Sequence, residues 1–324
     1  MAVEWMLMES KSSTETLYKV IGAIYGNVKD FTVLDYPRNP SRRSIDVGLK
    51  LKDGRLTLLK VVDDLNYVSK AEIEELKSIA SAMNAGAIIV ASRVGGKELL
   101  DDMAYEKHGI KVITPETLRG LVSGKVSIYV YQSGETFKVK VNSEILRRKR
   151  LKLGLSLGNV AHAIGASRRT VYEYERGSIE PALDKAQKLV EMFGEDILVS
   201  IDVFKRVKHS EAMRIKPDLD CENIILKTLS QTGFRVAHAK KTTFDIVGNR
   251  GGVKISLVIR HGRESIDSII NKYINSKRLS RVAETKNYTV IDDNDILRLL
   301  KKEDIEAYTT REIIDIIKRE LKES

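Results

Sequence analysis

The sequence predicts a multidomain chain in which an all-α domain lies between two α/β domains. Its 324 residues are enough for two or three domains of ordinary size. Hydrophobic residues make up 42% of the chain, which is enough to bury a core in each domain. At both ends of the chain, segments with apolar residues at helical spacing alternate with short runs typical of strands. In the centre, the apolar residues have helical spacing alone.

Residues 1–124 predict the first α/β domain. A turn signal, Asp53-Gly54, separates two of its apolar runs, and Ser69 with Glu72 forms a capping box before a helix. The predicted elements are a helix over 14–25, strands over 31–34, 44–51 and 56–62, a helix over 70–84, a strand over 87–91, a helix over 97–107, a strand over 111–113 and a short helix from Thr114-Pro115.

Two connecting segments follow from changes in this pattern. Residues 125–142 alternate around the turn Ser133-Gly134, which predicts a β-hairpin connector. Residues 201–217 have little periodicity and are predicted to be a linker. The all-α domain is therefore expected at 143–200.

Residues 218–324 predict a second α/β domain that repeats the first in outline. The predicted elements are a helix over 220–231, strands over 234–238, 244–247 and 253–259, a helix over 265–279, a strand over 288–291, a helix over 293–302, a strand over 305–308 and a helix over 310–321. Such a repeat arises by duplication of one fold or by coincidence of common α/β pieces, and the shared order favours duplication.

The most specific pattern in the chain runs from Leu155 to Gly177. It predicts two short helices around a tight turn, in which Gly165 ends the first helix and Ser167 caps the second. Val171 and Tyr174 return to the core at helical spacing. The residues between them on the second helix are left facing outward.

This pattern resembles the Cro-type, phage-repressor helix-turn-helix, whose small residue, turn glycine and capping serine match Ala161, Gly165 and Ser167. The resemblance implies a five-helix repressor-type domain. Many family members begin the first helix of the pair with glutamine, whereas Leu157 and Gly158 occupy that corner here. The layout of the whole chain is similar to a group of archaeal helix-turn-helix transcriptional regulators, which implies regulation of transcription.

A recognition helix in the major groove presents its N-terminal turns to base edges. We therefore expect base contacts from Ser167, Arg168, Arg169, Tyr172 and Glu173. An alternative is that both arginines bind phosphates and add affinity without sequence choice.

Phosphate contacts are predicted beside this helix pair. The segment 143–216 holds 15 Lys and Arg against 10 Asp and Glu, which is half of the net charge of +10, and five cations fall in six positions of its first helix. The expected phosphate contacts are Arg147, Arg148, Lys149, Arg150, Lys152, Asn159 and Arg176. A solvated helix face is the alternative for the basic run.

The flanking domains resemble the restriction-endonuclease-like, PD-(D/E)XK fold. That family uses an aspartate on one strand and an acid-x-lysine on the next to bind a divalent ion. Here Asp46 is followed by Leu58-Leu59-Lys60, and Asp245 by Val258-Ile259-Arg260, so the second acid is missing in both domains. We expect no catalytic residue and no enzyme activity, and we interpret these domains as binding or dimerisation scaffolds derived from a nuclease.

No cofactor or metal is predicted. The five histidines lack metal-ligand spacing, and the single cysteine, Cys221, excludes a disulfide framework within the chain. The apolar run from Ala2 to Met8 is interrupted by Glu4 and is far shorter than a membrane span. We therefore expect a cytoplasmic protein without a membrane partner.

The sequence thus predicts a sequence-specific regulator of transcription that binds double-stranded DNA as a homodimer, since one such module reads only a few base pairs. No pattern identifies a small-molecule effector. One alternative is a metal-dependent DNA nuclease or repair enzyme, which would need a second carboxylate near Asp46 or Asp245, such as Glu15 or Asp63. Another is an interaction scaffold that no longer binds DNA.

Overall fold

A computed structural model describes residues 14–40, 43–208, 216–262 and 264–320. The chain forms two compact units, of which one combines Met1–Leu99 with Phe204–Ser324 and the other is Leu100–Val203. The predicted linker over 201–217 is described in part, and the run from Ala2 to Met8 lies outside the described residues. No helix in the described part of the chain is both long and apolar enough to cross a membrane.

The first unit begins with an N-terminal lobe built on a mixed sheet. Its elements are α1 (residues 14–24), β1 (Asp30–Val33), β2 (Val47–Lys50), β3 (Leu56–Asp64), α2 (Lys70–Met83), β4 (Gly86–Val94) and β5 (Lys97–Glu98). Strands β1, β2 and β3 pair antiparallel in that order, and β3 pairs in parallel with β4. A parallel pair needs a crossover, which α2 supplies.

The C-terminal lobe of the same unit has the same order of elements. They are α8 (Asp220–Gln231), β10 (Arg235–His238), β11 (Ile246–Arg250), β12 (Val253–Ile259), α9 (Ile266–Ala283), β13 (Lys286–Val290), α10 (Asn294–Lys302), β14 (Ala307–Tyr308) and α11 (Thr310–Glu320). Its first three strands pair antiparallel and the next pairs in parallel, as in the N-terminal lobe. The two lobes therefore share one topology, which agrees with the duplication favoured by the sequence.

The two lobes pack against each other through equivalent elements. Helix α2 of the N-terminal lobe lies on β10 and β11, and helix α9 of the C-terminal lobe lies on β1 and β2. At the second contact the Leu279 side chain packs directly on Gly48, because a Cβ added to Gly48 would lie 2.3 Å from Cδ1 of Leu279. The two lobes thus pair within one chain.

Polar side chains on both helices join the lobes. The buried carboxylate of Glu75 accepts hydrogen bonds from the amides of Lys240 at 2.9 Å and Lys241 at 2.8 Å. On the other helix, Oδ1 of Asn275 accepts one from the amide of Asp35 at 3.0 Å. Each lobe therefore satisfies backbone groups of the other, as buried polar groups require.

The second unit combines a small sheet with the helical domain. Its elements are β6 (Ala104–Lys107), β7 (Ile110–Ile113), α3 (Pro115–Val122), β8 (Val130–Ser133), β9 (Thr136–Val139), α4 (Ser143–Lys152), α5 (Leu157–Ile164), α6 (Arg168–Arg176) and α7 (Leu183–Phe193). The predicted hairpin forms β8 and β9, and β8 also pairs in parallel with β6. The amide of Asn142 donates to the carbonyl of Ile197 at 2.7 Å, so the end of the hairpin is fixed to the helical domain.

Two sequence predictions about elements are wrong. Residues 97–107 form strands β5 and β6 instead of a helix, since Gly95 and Gly96 both have positive φ and reverse the chain after β4, and Asp102 (φ 58°) breaks it again. The helical domain has four α-helices instead of five. Its fifth element is one turn of 3-10 helix over Glu195–Ile197.

Candidate nucleic-acid interface

Helices α5 and α6 meet at the tight turn that the sequence predicts. Gly165 ends α5 with φ 67° and ψ 47°, a left-handed conformation that strains residues with a Cβ. The hydroxyl of Ser167 then accepts a hydrogen bond from the amide of Thr170 at 3.1 Å and caps α6. The direction of α6 is therefore set by two residues of the turn.

The apolar faces of these helices form the core of the domain. Val160, Ile164 and Val171 are fully buried, and Tyr174 is nearly so. Ala161 is also buried, and its small side chain allows the helices to approach closely. Because this face of α6 packs inward, the opposite face is directed to solvent.

The outward face of α6 carries the predicted base-contacting residues. Ser167, Arg168, Arg169 and Tyr172 are exposed, and Glu173 is half-buried. The structure brings all five together on the first two turns of one helix and on its cap. Two guanidinium groups, a phenol and a carboxylate thus lie side by side, which is the mixture of donors and acceptors that base edges require.

Arg168 reaches back over the first turn of α5. A Cβ added to Gly158 would lie 2.8 Å from Nε and 3.2 Å from Nη2 of Arg168. The absence of a side chain at 158 therefore makes room for this guanidinium. It lies at the corner where the resemblance to the Cro-type helix-turn-helix implies glutamine in many members.

The cations of α4 separate into two groups. Arg147, Arg148 and Lys152 are exposed, as phosphate contacts must be. Lys149 is less exposed to solvent, because its ammonium contacts the carboxylate of Asp196 and the carbonyl of Phe193 at the end of α7.

Arg150 lies inside the domain and not on its surface. Its Nε and Nη2 contact the two carboxylate oxygens of Glu175 at 2.6 and 2.9 Å, and Nη1 donates to the carbonyl of Leu155 at 2.8 Å. The side chains of this ion pair are only 10% and 5% exposed. The expectation that Arg150 contacts phosphate is corrected here, since its donors are engaged and buried.

The other two expected phosphate contacts are exposed. Oδ1 of Asn159 accepts the amide of Ser156 at 2.9 Å in a capping box, so its side-chain amide remains at the N-terminus of α5. The guanidinium of Arg176 lies 5.7 Å from the ring centroid of Tyr172. This cation–π contact positions Arg176 beside the outward face of α6.

The N-terminal lobe brings together Asp46 and Lys60 of the nuclease-like pattern. Lys60 Nζ lies 3.3 Å from Asp46 and 3.8 Å from Glu72, and Arg43 Nε lies 3.1 Å from Asp46. All four side chains are buried. The two cations already neutralise the two carboxylates, and Leu58 stands where the family has its second acid, so these residues do not fit a divalent metal ion.

The carboxylates considered as a second acid beside Asp46 are engaged elsewhere. Glu15 forms an ion pair with Lys19 at 2.8 Å, and Asp63 lies 3.6 Å from Arg93. Within the described residues, no group of three metal-ligating side chains includes Asp46.

In the C-terminal lobe the structure places two residues that the sequence did not single out, Glu222 and His261, beside Asp245. Glu222, Asp245 and His261 bring three ligand atoms within 4.8 Å of one another, and Lys272 Nζ lies 2.6 Å from Asp245. Asp245 and then Glu222 raise the pKa of His261 to about 9. The residues are too far apart in the sequence to form a spacing motif, and only the shared topology of the lobes could have pointed to them.

Two segments of the chain match known protein families. Residues 13–128 match the PD-(D/E)XK superfamily domain, and residues 146–199 match the helix-turn-helix. No solved structure matches the chain significantly.

Relatives from archaea match along most of the chain. A "Putative HTH-type transcriptional regulatory protein" of Aeropyrum pernix is 35% identical over 283 residues, which cover 85% of each chain. Relatives of the same description in Saccharolobus islandicus and Saccharolobus solfataricus are 26% identical over 310 residues, or 94% of this chain and 96% of theirs. With a helix-turn-helix domain, a PD-(D/E)XK superfamily domain and this similarity, the chain belongs to the archaeal family of HTH-type transcriptional regulatory proteins.

Proposed function

We propose that this protein regulates transcription by binding specific duplex DNA sequences, with α6 lying in the major groove. The observation that carries the proposal is the exposed N-terminal face of α6, where Arg168 and Arg169 project beside Tyr172. Arginine pairs with the O6 and N7 acceptors of guanine, the most frequent specific contact in such complexes. Ser167 and Glu173 complete the base-contacting set.

In this proposal the cations around α6 hold the DNA backbone. Arg147, Arg148 and Lys152 on α4 are exposed and face no described carboxylate in an ion pair, so they are the principal phosphate contacts. Lys149, Asn159 and Arg176 are secondary, since each also makes a contact within the domain. Phosphate contacts fix position and supply the salt-dependent part of the affinity.

The protein acts as a homodimer. One repressor-type module reads too few base pairs to select a site in a genome, and two modules one helical turn apart read enough. The pairing of the two α/β lobes occurs within the chain, so the proposal needs a further surface to join two chains.

The direct test is binding to the protein's own promoter region and to random duplex DNA of equal length, measured by fluorescence anisotropy at moderate salt. Arg168→Ala and Arg169→Ala are expected to lose preference for the promoter, by about 1–3 kcal/mol for each base contact. Lys188→Ala is a matched control, because Lys188 is an exposed cation on α7 outside the proposed interface. Absence of duplex binding by the unaltered chain would favour the interaction scaffold instead.

The α/β lobes have no nuclease activity in this proposal. Asp46 is buried between Arg43 and Lys60, and the second acid is replaced by Leu58. We expect no Mg²⁺-dependent cleavage of duplex DNA. Cleavage that disappears in Asp46→Ala would support the nuclease alternative.

A further inference from the structure

A cavity opens in the C-terminal lobe between one face of α9 and the start of β13. Its volume is about 460 Å³, which is within the range of small-molecule sites in proteins. Tyr273, Lys277 and Arg281 line it at helical spacing from α9, and Lys286 lines it from β13. It shares no lining residue with the helix-turn-helix, with the segment matched by the PD-(D/E)XK superfamily domain or with the cluster around Asp245. This α9 cavity is therefore separate from every site described so far.

Positive charge surrounds the α9 cavity. Lys277, Arg281 and Lys286 are exposed lining residues, and among the described residues that line the cavity the carboxylate is that of Glu306. The lining therefore has a formal excess of two positive charges, which favours an anionic ligand. Tyr273 also lines the cavity and is only 5% exposed, so the same ligand meets an aromatic ring as well as charge.

The contacts of two of these cations leave them able to bind a ligand. The Lys277 ammonium lies 5.4 Å from the ring centroid of Tyr273, a cation–π distance that holds it against the cavity wall. Arg281 Nη2 lies 3.2 Å from Oδ1 of Asp30 in the N-terminal lobe, and these side chains are 69% and 40% exposed. An exposed ion pair of this kind contributes little to stability. A ligand with two negative charges can therefore replace Asp30 as the partner of Arg281.

The equivalent place in the N-terminal lobe is closed by the chain itself. Helices α2 and α9 correspond, since each is followed by a left-handed residue, one further residue and then β4 or β13. A Cβ added to Gly86, the first residue of β4, would lie 2.6 Å from the carbonyl oxygen of Phe204, and Arg206 pairs with Gly86. The corresponding first residue of β13 is Lys286, which lines the cavity. The place that a chain segment fills in one lobe is thus open in the other.

We propose that the α9 cavity binds a small phosphorylated molecule, between a sugar phosphate and a mononucleotide in size. The phosphate group lies among Lys277, Arg281 and Lys286, and the uncharged polar part of the ligand lies against Tyr273. A phosphate dianion suits this place because it offers three acceptor oxygens, of which two can bind one guanidinium. Binding at this cavity does not depend on DNA recognition by α6, so either proposal can fail while the other holds.

The test is isothermal titration calorimetry of the full chain with millimolar ribose 5-phosphate and AMP as probes. Ribose, adenosine and inorganic phosphate are the controls, since each lacks one part of a probe. One equivalent of at least one probe is expected to bind, more tightly than inorganic phosphate, whereas ribose and adenosine should not bind. The proposal is overturned if neither probe binds, if adenosine binds as tightly as AMP, or if inorganic phosphate binds as tightly as both probes. The last result would indicate an adventitious ion only.

Charge variants locate the bound probe and should change its affinity in opposite directions. Arg281→Gln should weaken binding about 10–100-fold by removing charge-assisted hydrogen bonds, and Asp30→Asn should strengthen it about 2–5-fold by removing the competing carboxylate. Arg298→Gln is the matched control, because Arg298 is 80% exposed on α10 and pairs with Asp295. Equal affinity of Arg281→Gln and the unaltered chain would contradict the proposal, as would equal weakening by Arg298→Gln.

A DNA measurement separates the other source of phosphate. In the alternative, Lys277, Arg281 and Lys286 bind the DNA backbone instead of a small molecule. Arg281→Gln is expected to keep the affinity of the unaltered chain for random duplex DNA in the anisotropy assay. A weaker affinity with a smaller salt dependence would assign these cations to the DNA backbone and overturn the proposal.

Discussion

Arg150 and Arg148 are neighbouring cations on α4 in the same sequence run, and the structure gives them opposite roles. The Arg150 guanidinium forms a two-point contact with Glu175 and a third hydrogen bond to the carbonyl of Leu155, whereas Arg148 is exposed. We therefore expect Arg150→Met to reduce stability and Arg148→Met to reduce DNA affinity.

The magnitude follows from the burial of the ion pair. Removing one partner of a buried pair costs about 3–5 kcal/mol, and the residual exposure of Arg150 and Glu175 places this pair near about 3 kcal/mol. For a unit of the size of Leu100–Val203, that loss lowers the melting temperature by on the order of 10 °C. Arg148→Met should change stability by less than about 0.5 kcal/mol.

Scanning calorimetry and salt-dependent DNA binding separate the two effects. The slope of the logarithm of DNA affinity against the logarithm of salt concentration should be unchanged in Arg150→Met. In Arg148→Met the magnitude of this slope should fall by about 0.9. The double variant Arg150→Met with Glu175→Leu should recover stability, because no buried charge is left unpaired. If Arg150→Met keeps its melting temperature and loses salt dependence, the buried ion pair is refuted and Arg150 is a phosphate contact after all.

Three further outcomes test other parts of the structure. Gly158→Ala should stabilise α5 by up to about 1 kcal/mol. It should also weaken the preference for promoter DNA, because the added Cβ displaces the Arg168 guanidinium. Unchanged preference in the anisotropy assay would contradict the contact between Gly158 and Arg168. Gly48→Ala should cost about 1–3 kcal/mol by overpacking against Leu279, and adding Leu279→Ala should recover part of the loss; strictly additive unfolding free energies would argue against packing of the lobes at this point. Burial raises the pKa of Glu75 in the folded state. The contribution of Glu75 to stability is therefore greatest below its unfolded-state pKa of about 4.3 and declines as pH rises through its higher folded-state pKa. Glu75→Gln should flatten this decline in urea unfolding, and an unchanged pH profile would contradict the raised pKa.

Local patterns predicted most of the fold. The capping box of Ser69 and Glu72, the turn at Gly165 and the cap at Ser167 all lie where the sequence predicts them, because each depends on neighbours a few residues away. The predicted helix over 97–107 is wrong because contacts beyond the local pattern decide its structure. Its apolar spacing fits a helix, but residues with positive φ interrupt the segment and β6 pairs with β7.

Contacts between distant segments could not be predicted in this way. The charge run on α4 contains no signal that Arg150 turns inward, since its partner Glu175 lies 25 residues away. The cluster of Glu222, Asp245 and His261 is assembled by three segments of the folded lobe, so no spacing in the sequence reveals it. The exposed face of α6, in contrast, followed from helical periodicity alone.

The proposed function depends most on the outward face of α6. The most direct measurement is selection of binding sites from random duplex DNA by the unaltered chain and by the variant carrying both Arg168→Ala and Arg169→Ala, at the same moderate salt concentration. We predict that the unaltered chain selects a paired motif with guanines in each half-site and that the double variant selects no motif while still binding DNA weakly. Selection of the same motif by both proteins would contradict the proposed recognition helix.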